Sequence, residues 1–239
     1  MDEKTGWFKD LIQARDEGLA KHIGFSFHDE PAAMGRLIDL GWAELVTCQY
    51  NYIDRRNEEA IHAAAEKGTA VVVMGPVGGG RLAVKPKGVD GVAGDADAAE
   101  LALRFVASHP GVDVVLSGMG SVEMVAQNVA AIERGALDEA ALASLNDVMA
   151  RQRRLADLYC TGCEYCMPCP SGVNVSRCFE LYNYLMVYGL TEYAQTQYRL
   201  LVERKQDASL CIECGECLER CPQHIPIPDQ LKQVVETFG

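Results

Sequence analysis

Short apolar runs alternate with amphipathic segments through the first 155 residues of the chain. Compact apolar runs predict strands, and apolar residues spaced three and four positions apart predict helices. The predicted strands are residues 22–27, 45–50, 69–74 and 112–116. The predicted helices are residues 30–40, 58–67, 96–108, 122–133 and 138–158. The third strand is apolar, as is typical of a parallel strand that is buried on both faces.

Four strand–helix units in a row predict an α/β fold with a parallel sheet, either a barrel or a doubly wound sheet. Polar and glycine residues follow the strands at their carboxyl ends, which is where parallel α/β folds bind their ligands. These residues are Ser26 and His28, Gln49 and Asn51, Gly75 and Pro76, and Ser117 and Gly118. The sequence therefore predicts a ligand site at this edge of the sheet.

The last third of the chain contains eight of its ten cysteines, arranged in two runs. Residues 211–222 read C-x2-C-x2-C-x3-C-P, and residues 160–170 read the same with one residue fewer before the fourth cysteine. This spacing is typical of cubane iron–sulfur ligation, in which the fourth cysteine of each run binds the cluster of the other run. We therefore predict two 4Fe-4S clusters. One would be held by Cys160, Cys163, Cys166 and Cys221, and the other by Cys211, Cys214, Cys217 and Cys169.

Apolar residues repeat after both runs, as Val173 and Val175 and again as Ile225 and Ile227, which indicates an internal duplication. These side chains would cover the clusters and exclude water from the sulfurs. Between the runs, residues 179–201 predict helix with a break at a glycine near the middle. Structural zinc, which also uses paired C-x2-C, and disulfides are the alternatives. Zinc requires no trailing proline, and disulfides require an oxidising compartment.

Composition narrows the possible functions. A chain of 239 residues suits two modest domains, which we place at residues 1–155 and 156–239. The net charge of -12 argues against nucleic acid and anionic membranes as partners. No apolar run reaches the length of a membrane span, and open thiolates persist in a reducing compartment, so we expect a cytoplasmic protein. Cys48 and Cys178 lie outside the two runs and are expected to be small buried hydrophobes.

Four segments of the predicted strands and their carboxyl ends resemble, in order, the second half of an aldo/keto reductase barrel. They are IGFSFH from Ile23, CQYNY from Cys48, VVMGPVGGGRL from Val72, and the stretch from Val115 to Asn128. In this comparison they are strands five to eight, and residues 7–20 are the preceding helix. Together with the cysteine runs, the chain resembles the aldo/keto reductases that carry a C-terminal iron–sulfur domain. The implied fold is the C-terminal half of a (β/α)8 TIM-type barrel, followed by a small, mainly α-helical ferredoxin-like domain.

The resemblance implies a bound nicotinamide nucleotide, NADH or NADPH. The implied contacts are to the nicotinamide carboxamide, the pyrophosphate, the adenosine phosphate and the adenine. Ser26 and Gln49 would contact the carboxamide, and the loop with Gly75, Pro76, Val77, Gly80 and Leu82 would contact the pyrophosphate. Gly118 and Ser121 would contact the adenosine phosphate, and Gln127 and Asn128 the adenine. Two positions depart from the family pattern. Met74 replaces an aromatic residue that stacks on the nicotinamide, and Met124 replaces an arginine that grips the 2′-phosphate, so a preference for NADPH is not implied.

The resemblance also identifies what this chain lacks. The catalytic Asp, Tyr, Lys and His of the family come from the first four strands, which have no counterpart here, so no catalytic residue is assigned. A half-barrel exposes two sheet edges and part of its apolar interior, and such edges pair with other chains. We favour a truncated gene product as the explanation. A separate upstream half-barrel chain and self-association of two copies are the alternatives.

The leading hypothesis is an iron–sulfur oxidoreductase of the aldo/keto reductase type, which as a fragment would be inactive as a reductase alone. Electrons would pass through two 4Fe-4S clusters between a redox partner protein or carrier and the nicotinamide-binding half-barrel. A nicotinamide moves two electrons as hydride, so coupling to one-electron clusters requires an intermediary such as a flavin, for which the sequence has no separate motif. The alternative is a non-enzymatic electron carrier or assembly module that uses the half-barrel only for docking.

Overall fold

The computed structural model describes residues 6–157, 164–221 and 224–239. Within them the chain forms two compact units. The first unit extends to Ala83 and resumes from Ala93 to Leu142, and the second combines Val84–Val92 with Ala143–Gly239. These units are defined by packing, so the sequence boundary between residues 155 and 156 remains a prediction.

The first unit contains a four-stranded sheet in which all neighbouring strands are parallel. Its strands are β1 (Gly24–Phe27), β2 (Leu45–Gln49), β3 (Ala70–Met74) and β4 (Val114–Val115). Its helices are α1 (Trp7–Asp16), α2 (Pro31–Asp39), α3 (Glu58–Glu66), α4 (Ala98–Ala107) and α5 (Val122–Glu133). The strands lie side by side in chain order. A doubly wound sheet reverses its order at a switch point, whereas a (β/α)8 barrel adds strands in one direction, so the sheet is that of a partial barrel.

The two faces of this sheet differ in burial. Along β2, Val46 and Cys48 are fully buried, whereas the alternate residues are only partly buried, and β3 repeats the pattern with Val71 and Val73. Successive strand residues point to opposite faces, so the buried set packs under the helices and the other set lines the inner face of the partial barrel. Strand β3 therefore differs from the expectation of burial on both faces, because its outer face is fully buried and its inner face only partly. The expected exposure of an incomplete barrel interior stays a prediction.

The edge formed by β4 and α5 is exposed and apolar. Val114 and Leu116 are each nearly half exposed, and Val122 is 80% exposed. Five more large apolar side chains of this segment are exposed, namely Met119, Met124, Val125, Val129 and Ile132. Monomeric proteins rarely leave so many neighbouring apolar side chains in water, so this surface, which we term the β4–α5 face, has the character of an interface.

At the opposite edge of the sheet, α1 packs against Trp42 beside β1. Trp42 is buried between Phe8 of α1 and Phe25 of β1, with ring centroids 5.2 and 5.7 Å from the indole. The helix ends in a Schellman motif in which Gly18 has φ +75° and the Leu19 N–H donates to the Ala14 carbonyl at 2.9 Å. The helix is therefore shorter at its end than the implied segment 7–20.

The second unit is mainly helical. Its helices are α6 (Glu139–Asp157), which belongs to this unit from Ala143 onward, and α7 (Val175–Met186), α8 (Thr191–Glu203), α9 (Glu216–Arg220) and α10 (Ile227–Phe238). The break between α7 and α8 falls at Gly189, which has φ +70°, as the glycine in the predicted helix indicated. None of the helices in the described segments combines the length and the apolar character needed to cross a bilayer.

Candidate functional site

The cysteine runs meet at one recess of the second unit. Cys166 and Cys169 of the first run line the same recess as three cysteines of the second run, Cys211, Cys214 and Cys217. Cys160 and Cys163, which we also predict to be ligands, lie outside the described residues. The remaining predicted ligand, Cys221, is buried but is not among the described residues that line the recess. The structure thus brings Cys169 to the three cysteines with which the spacing pairs it, and it brings Cys166, which the spacing assigns to the other cluster, to the same recess.

The lining of this recess suits an iron–sulfur cluster. Ser171, Gly215, Glu216 and Arg220 form part of its wall, and apolar residues form the rest. These are Pro168, Pro170, Val175, Ile212, Pro228 and Leu231. No three His, Cys, Asp or Glu side chains in the described part of the chain converge on a point that would suit one metal ion.

The two ligand loops repeat the same backbone conformation. Glu164 and Gly215 occupy equivalent positions, just after the second cysteine of each run, and both are left-handed with φ +63° and +82°. Gly172 and His224, each three residues after the fourth cysteine, are also both left-handed, with φ +87° and +53°. Non-glycine residues rarely adopt positive φ. The shared geometry therefore supports the internal duplication predicted from the sequence.

The turns after the fourth cysteine of the two runs also have matching hydrogen bonds, and both lead into a helix. The Gly172 N–H donates to the Cys169 carbonyl at 3.0 Å, and the His224 N–H donates to the Cys221 carbonyl at 3.1 Å. Each turn then leads into a helix of 12 residues, α7 or α10. Val173, Val175, Ile225 and Ile227, the predicted covering residues, are all buried. Val175 lines the recess itself, so at least this residue lies where it would shield a cluster.

The electrostatics of the recess favour a bound cation cluster. Burial raises the pKa of the Cys169 thiol, but hydrogen bonds from the Ser171 hydroxyl and from the backbone of Ser171, Val173 and Gly172 outweigh it and bring the pKa below its ordinary value. Burial, and then the nearby Cys211, Cys214 and Cys169, raise the pKa of Cys217. The wall thus stabilises one thiolate while the gathered thiolates repel each other, and iron would neutralise this repulsion.

The cysteines outside the runs have a different character. Cys48 lies on the buried face of β2 and Cys178 lies in α7, and both are fully buried. Burial raises the pKa of each thiol to about 12. They remain neutral near pH 7 and act as small hydrophobes, as expected from the sequence.

In the first unit, two predicted nucleotide-binding positions are in contact at the carboxyl ends of β2 and β3. Gly75 has φ +63°, and a Cβ built on it would fall 2.5 Å from Gln49 Oε1. Two asparagines fix this geometry. The Asn51 side-chain amide donates to the Gly75 carbonyl at 3.1 Å, and the Asn57 amide donates to the Gln49 carbonyl at 2.9 Å. Asn51 is fully buried and also accepts the Asp54 N–H, so it orders the loop after β2.

Sequence reasoning placed Asn51 at a strand end but assigned no role to Asn57. Asparagine side chains bond the local backbone in turns, so an Asn-x5-Asn spacing after a strand was a usable signal for this arrangement. Ser171 was also missed as a neighbour of a ligand. Its signal was a hydroxyl two residues after a cysteine, among residues that are otherwise small or apolar.

The loop after β3 turns on its own backbone. The Gly78 N–H donates to the Gly75 carbonyl at 2.8 Å, and the N–H groups of Gly80 and Leu82 both donate to the Val77 carbonyl at 3.1 Å. Pro76 and Leu82 are buried, whereas Gly80 is exposed with φ +92°. The loop after β3 is therefore a tight turn in which Gly79 and Gly80 expose their backbone and Gly78 is buried. Its role toward a pyrophosphate stays a prediction.

The remaining predicted nucleotide contacts lie at β1 and at the start of α5. Ser26 is exposed, and its Oγ lies 3.1 Å from His28 Nε2. Ser121 is the N-cap of α5 and accepts the Met124 N–H, while Gly118 is exposed just before it. Gln127 and Asn128 line a recess of about 490 Å3, open to solvent, that also includes Glu100 and Arg134. No described contact joins them to Gln49, so their role toward adenine stays a prediction.

Comparison with known proteins assigns both parts of the chain. Residues 5–90 match the aldo/keto reductase family model, and residues 159–225 match the 4Fe-4S dicluster domain model. An uncharacterized oxidoreductase of Bacillus subtilis is 25% identical over 170 residues, which are 61% of this chain and 54% of that protein. An uncharacterized oxidoreductase of Schizosaccharomyces pombe is 27% identical over 132 residues, which are 52% of this chain and 41% of that protein.

A solved structure agrees with the architecture. The holo form of an aldo-keto reductase from Bacillus halodurans superimposes with a TM-score of 0.54 and 25% sequence identity, covering 61% of this chain and 56% of that chain. The chain therefore spans about half the length of the relatives it matches. The barrel interpretation of the parallel sheet is confirmed.

Proposed function

We propose that this chain, in which an aldo/keto reductase domain is joined to a 4Fe-4S dicluster domain, transfers single electrons through two 4Fe-4S clusters to a redox reaction at the barrel. One observation carries the proposal. Cys169 of the first run lines the same recess as Cys211, Cys214 and Cys217 of the second run, as interleaved ligation of two clusters requires.

The chain's own residues would set the properties of this site. When bound, a 4Fe-4S cluster supplies a one-electron redox centre. Val175 and Leu231 exclude water from the wall of the recess, which keeps the local dielectric low. Ile212 is 68% exposed, so one side of the recess is close to solvent and accessible to a redox partner.

We further propose that the first unit supplies half of a nicotinamide site. The contact between Gln49 and Gly75, fixed by Asn51, supports this role because it presents a side-chain amide and open backbone at the carboxyl edge of the sheet. No general acid is assigned in this chain. Hydride chemistry would therefore require the complementary half of a barrel. Coupling of a two-electron hydride transfer to the one-electron clusters would also require an intermediary such as a flavin.

The β4–α5 face supports such a complement. Its exposed apolar side chains and the unpaired outer edge of β4 would be covered by further βα units, supplied by an upstream half-barrel chain or by a second copy. The alternative function is a non-enzymatic electron carrier or assembly module. In that case the same face binds a partner without any nucleotide.

Anaerobic purification of the full chain, followed by iron and acid-labile sulfide analysis, tests the cluster proposal. We expect about eight iron and eight sulfide per chain, a brown colour, and an EPR signal after reduction with dithionite. Zinc without labile sulfide would refute it and support the structural alternative.

Calorimetry with NADH and NADPH, with and without a supplied upstream half-barrel, separates the two functions. Binding in either condition supports the enzyme. An absence of binding in both, with clusters present, favours the carrier.

A further inference from the structure

A tight turn brings the Ser171 hydroxyl within hydrogen-bond distance of the Cys169 sulfur in the recess. The Gly172 N–H closes the turn on the Cys169 carbonyl at 3.0 Å, with Pro170 at its second position, where a fixed φ favours the turn. Gly172 leaves the turn with φ +87°. As a result, Ser171 folds back over its neighbour and its Oγ lies 3.3 Å from Cys169 Sγ.

The direction of this hydrogen bond follows from the chemistry of the ligand. A cysteine that binds iron is a thiolate and has no proton, so only the Ser171 hydroxyl can donate. Ser171 also lines the recess with Cys211, Cys214 and Cys217. The donor therefore belongs to the wall of the site and bonds the sulfur of Cys169, one of the five cysteines that line the recess.

We infer that Ser171 is a positioning residue that acts through Cys169 to raise the reduction potential of the cluster held by Cys169 and the second cysteine run. The inference rests on the proposed cluster function. Reduction adds one electron to the cluster and so increases the negative charge on its sulfurs. A hydrogen bond to sulfur strengthens as that charge grows, which stabilises the reduced state.

The effect should be selective for one cluster. In the described residues the Ser171 hydroxyl bonds Cys169, whereas the other cluster would be held by Cys160, Cys163, Cys166 and Cys221. Loss of the Ser171 hydroxyl should therefore shift the potential of one couple and leave that of the other unchanged.

An isosteric pair of variants of the full chain tests this. Ser171→Thr keeps the hydroxyl, and Ser171→Val has nearly the same shape without it. Ser144→Ala removes an exposed hydroxyl from α6 and serves as the control. Each protein is purified anaerobically, its iron and sulfide are counted, and it is titrated with dithionite while EPR follows each one-electron couple.

We expect Ser171→Val to lower the equilibrium constant for reduction of one couple about tenfold, which is about 59 mV for a one-electron step. The potential of the other couple in Ser171→Val should equal that of the wild type. Both potentials in Ser171→Thr and in Ser144→Ala should also equal those of the wild type. Unchanged potentials in Ser171→Val, or equal shifts of both couples, would overturn the inference while leaving the cluster proposal intact. Wild-type protein without labile sulfide would instead refute the proposed function.

Loss of iron from Ser171→Val would not end the test. In that case Ser171→Ala takes its place, because it lacks the hydroxyl but keeps the backbone N–H groups that also bond Cys169. ENDOR of the reduced proteins in H2O and D2O should show one strongly coupled exchangeable proton in the wild type and in Ser171→Thr that Ser171→Ala lacks. The same set of coupled protons in all three proteins would contradict the inference.

Discussion

The side-chain amide of Gln49 lies against Gly75, so that a methyl group at Gly75 would fall 2.5 Å from Gln49 Oε1. Gly75 follows β3 directly, and Gln49 is the last residue of the neighbouring strand β2. The residue after β3 must therefore be a glycine for two reasons, because its φ is +63° and because the amide occupies the place of a Cβ.

The first prediction uses a glycine elsewhere in the same loop as its control. Gly75→Ala and Gly79→Ala both force a left-handed alanine, since Gly79 has φ +65°, but no atom lies within 4 Å of a Cβ at Gly79. We expect Gly79→Ala to lower the free energy of unfolding by about 1 kcal/mol, and Gly75→Ala to lower it further because its methyl group also meets Gln49. Only Gly75→Ala should displace the Gln49 amide. Side-chain amide NMR checks this, and unmoved Gln49 signals in Gly75→Ala would contradict the contact.

The second prediction concerns metal content. Cys214→Ser removes a sulfur from the recess and should reduce iron and sulfide from about eight to about four per chain, because one cubane loses a ligand. Cys178→Ala removes a fully buried thiol outside the runs and should leave both counts unchanged. Equal iron loss in the two variants would mean that the recess has no special role.

The third prediction is a pH dependence of stability. His109 is buried against the ring of His62, with centroids 4.3 Å apart, and its Nδ1 accepts the Gly111 N–H. Burial, and then His62, lower the pKa of His109, although Glu58 opposes this shift. The folded chain therefore takes up the proton at lower pH than the unfolded chain. Stability should decrease as pH falls below about 6.5, the ordinary pKa of histidine.

His109→Asn keeps an acceptor for Gly111 and removes the titration. Urea unfolding is measured between pH 7.5 and 5.5 by tryptophan fluorescence. This signal reports on the first unit, because Trp7 and Trp42, the two tryptophans, belong to it. The variant should show a flatter dependence than the wild type. His28→Asn, at an exposed position, should not flatten it, and identical slopes in all three proteins would exclude His109 as the cause.

The fourth prediction addresses the β4–α5 face. Val122→Asp places a charge on an 80% exposed residue at the start of α5, where a carboxylate suits the helix dipole, so folding should be preserved. We expect it to weaken association with a second copy or an upstream half-barrel at least tenfold. Val202→Asp, at a 51% exposed position of α8, is the control. Analytical ultracentrifugation measures both, and equal association in the two variants would place the interface elsewhere.

Much of this architecture could be predicted from the sequence, because its elements are marked by local signals. Glu58–Glu66 and Val122–Glu133 have clear apolar periodicity, and the cysteine spacing identifies the site. Strand β4 is the exception, since 112–116 was predicted and only Val114–Val115 pair. The Asp113 carboxylate accepts the Val71 N–H at 2.8 Å, so a side chain takes one of the sheet's own hydrogen bonds.

The limits of prediction at the site are also physical. Spacing indicates which cysteines share a cluster, but the Ser171 contact depends on a turn closed by Gly172 and is a product of three-dimensional folding. Similarly, the position of the Gln49 amide depends on Asn51 and Asn57, whose partners lie on separate segments. Long-range hydrogen bonds leave little trace in a single sequence.

Any attempt to produce the second unit by itself must include the segment Val84–Val92. It reads as a loop, yet it packs with the second unit: the Lys87 N–H donates to the Tyr188 carbonyl at 2.9 Å, the Gln152 amide donates to the Lys87 carbonyl, and Val89 is fully buried. A gene fragment that starts at residue 143 would omit these contacts and expose their hydrophobic and polar partners. A permuted gene, with residues 84–92 attached through a short linker, would restore them.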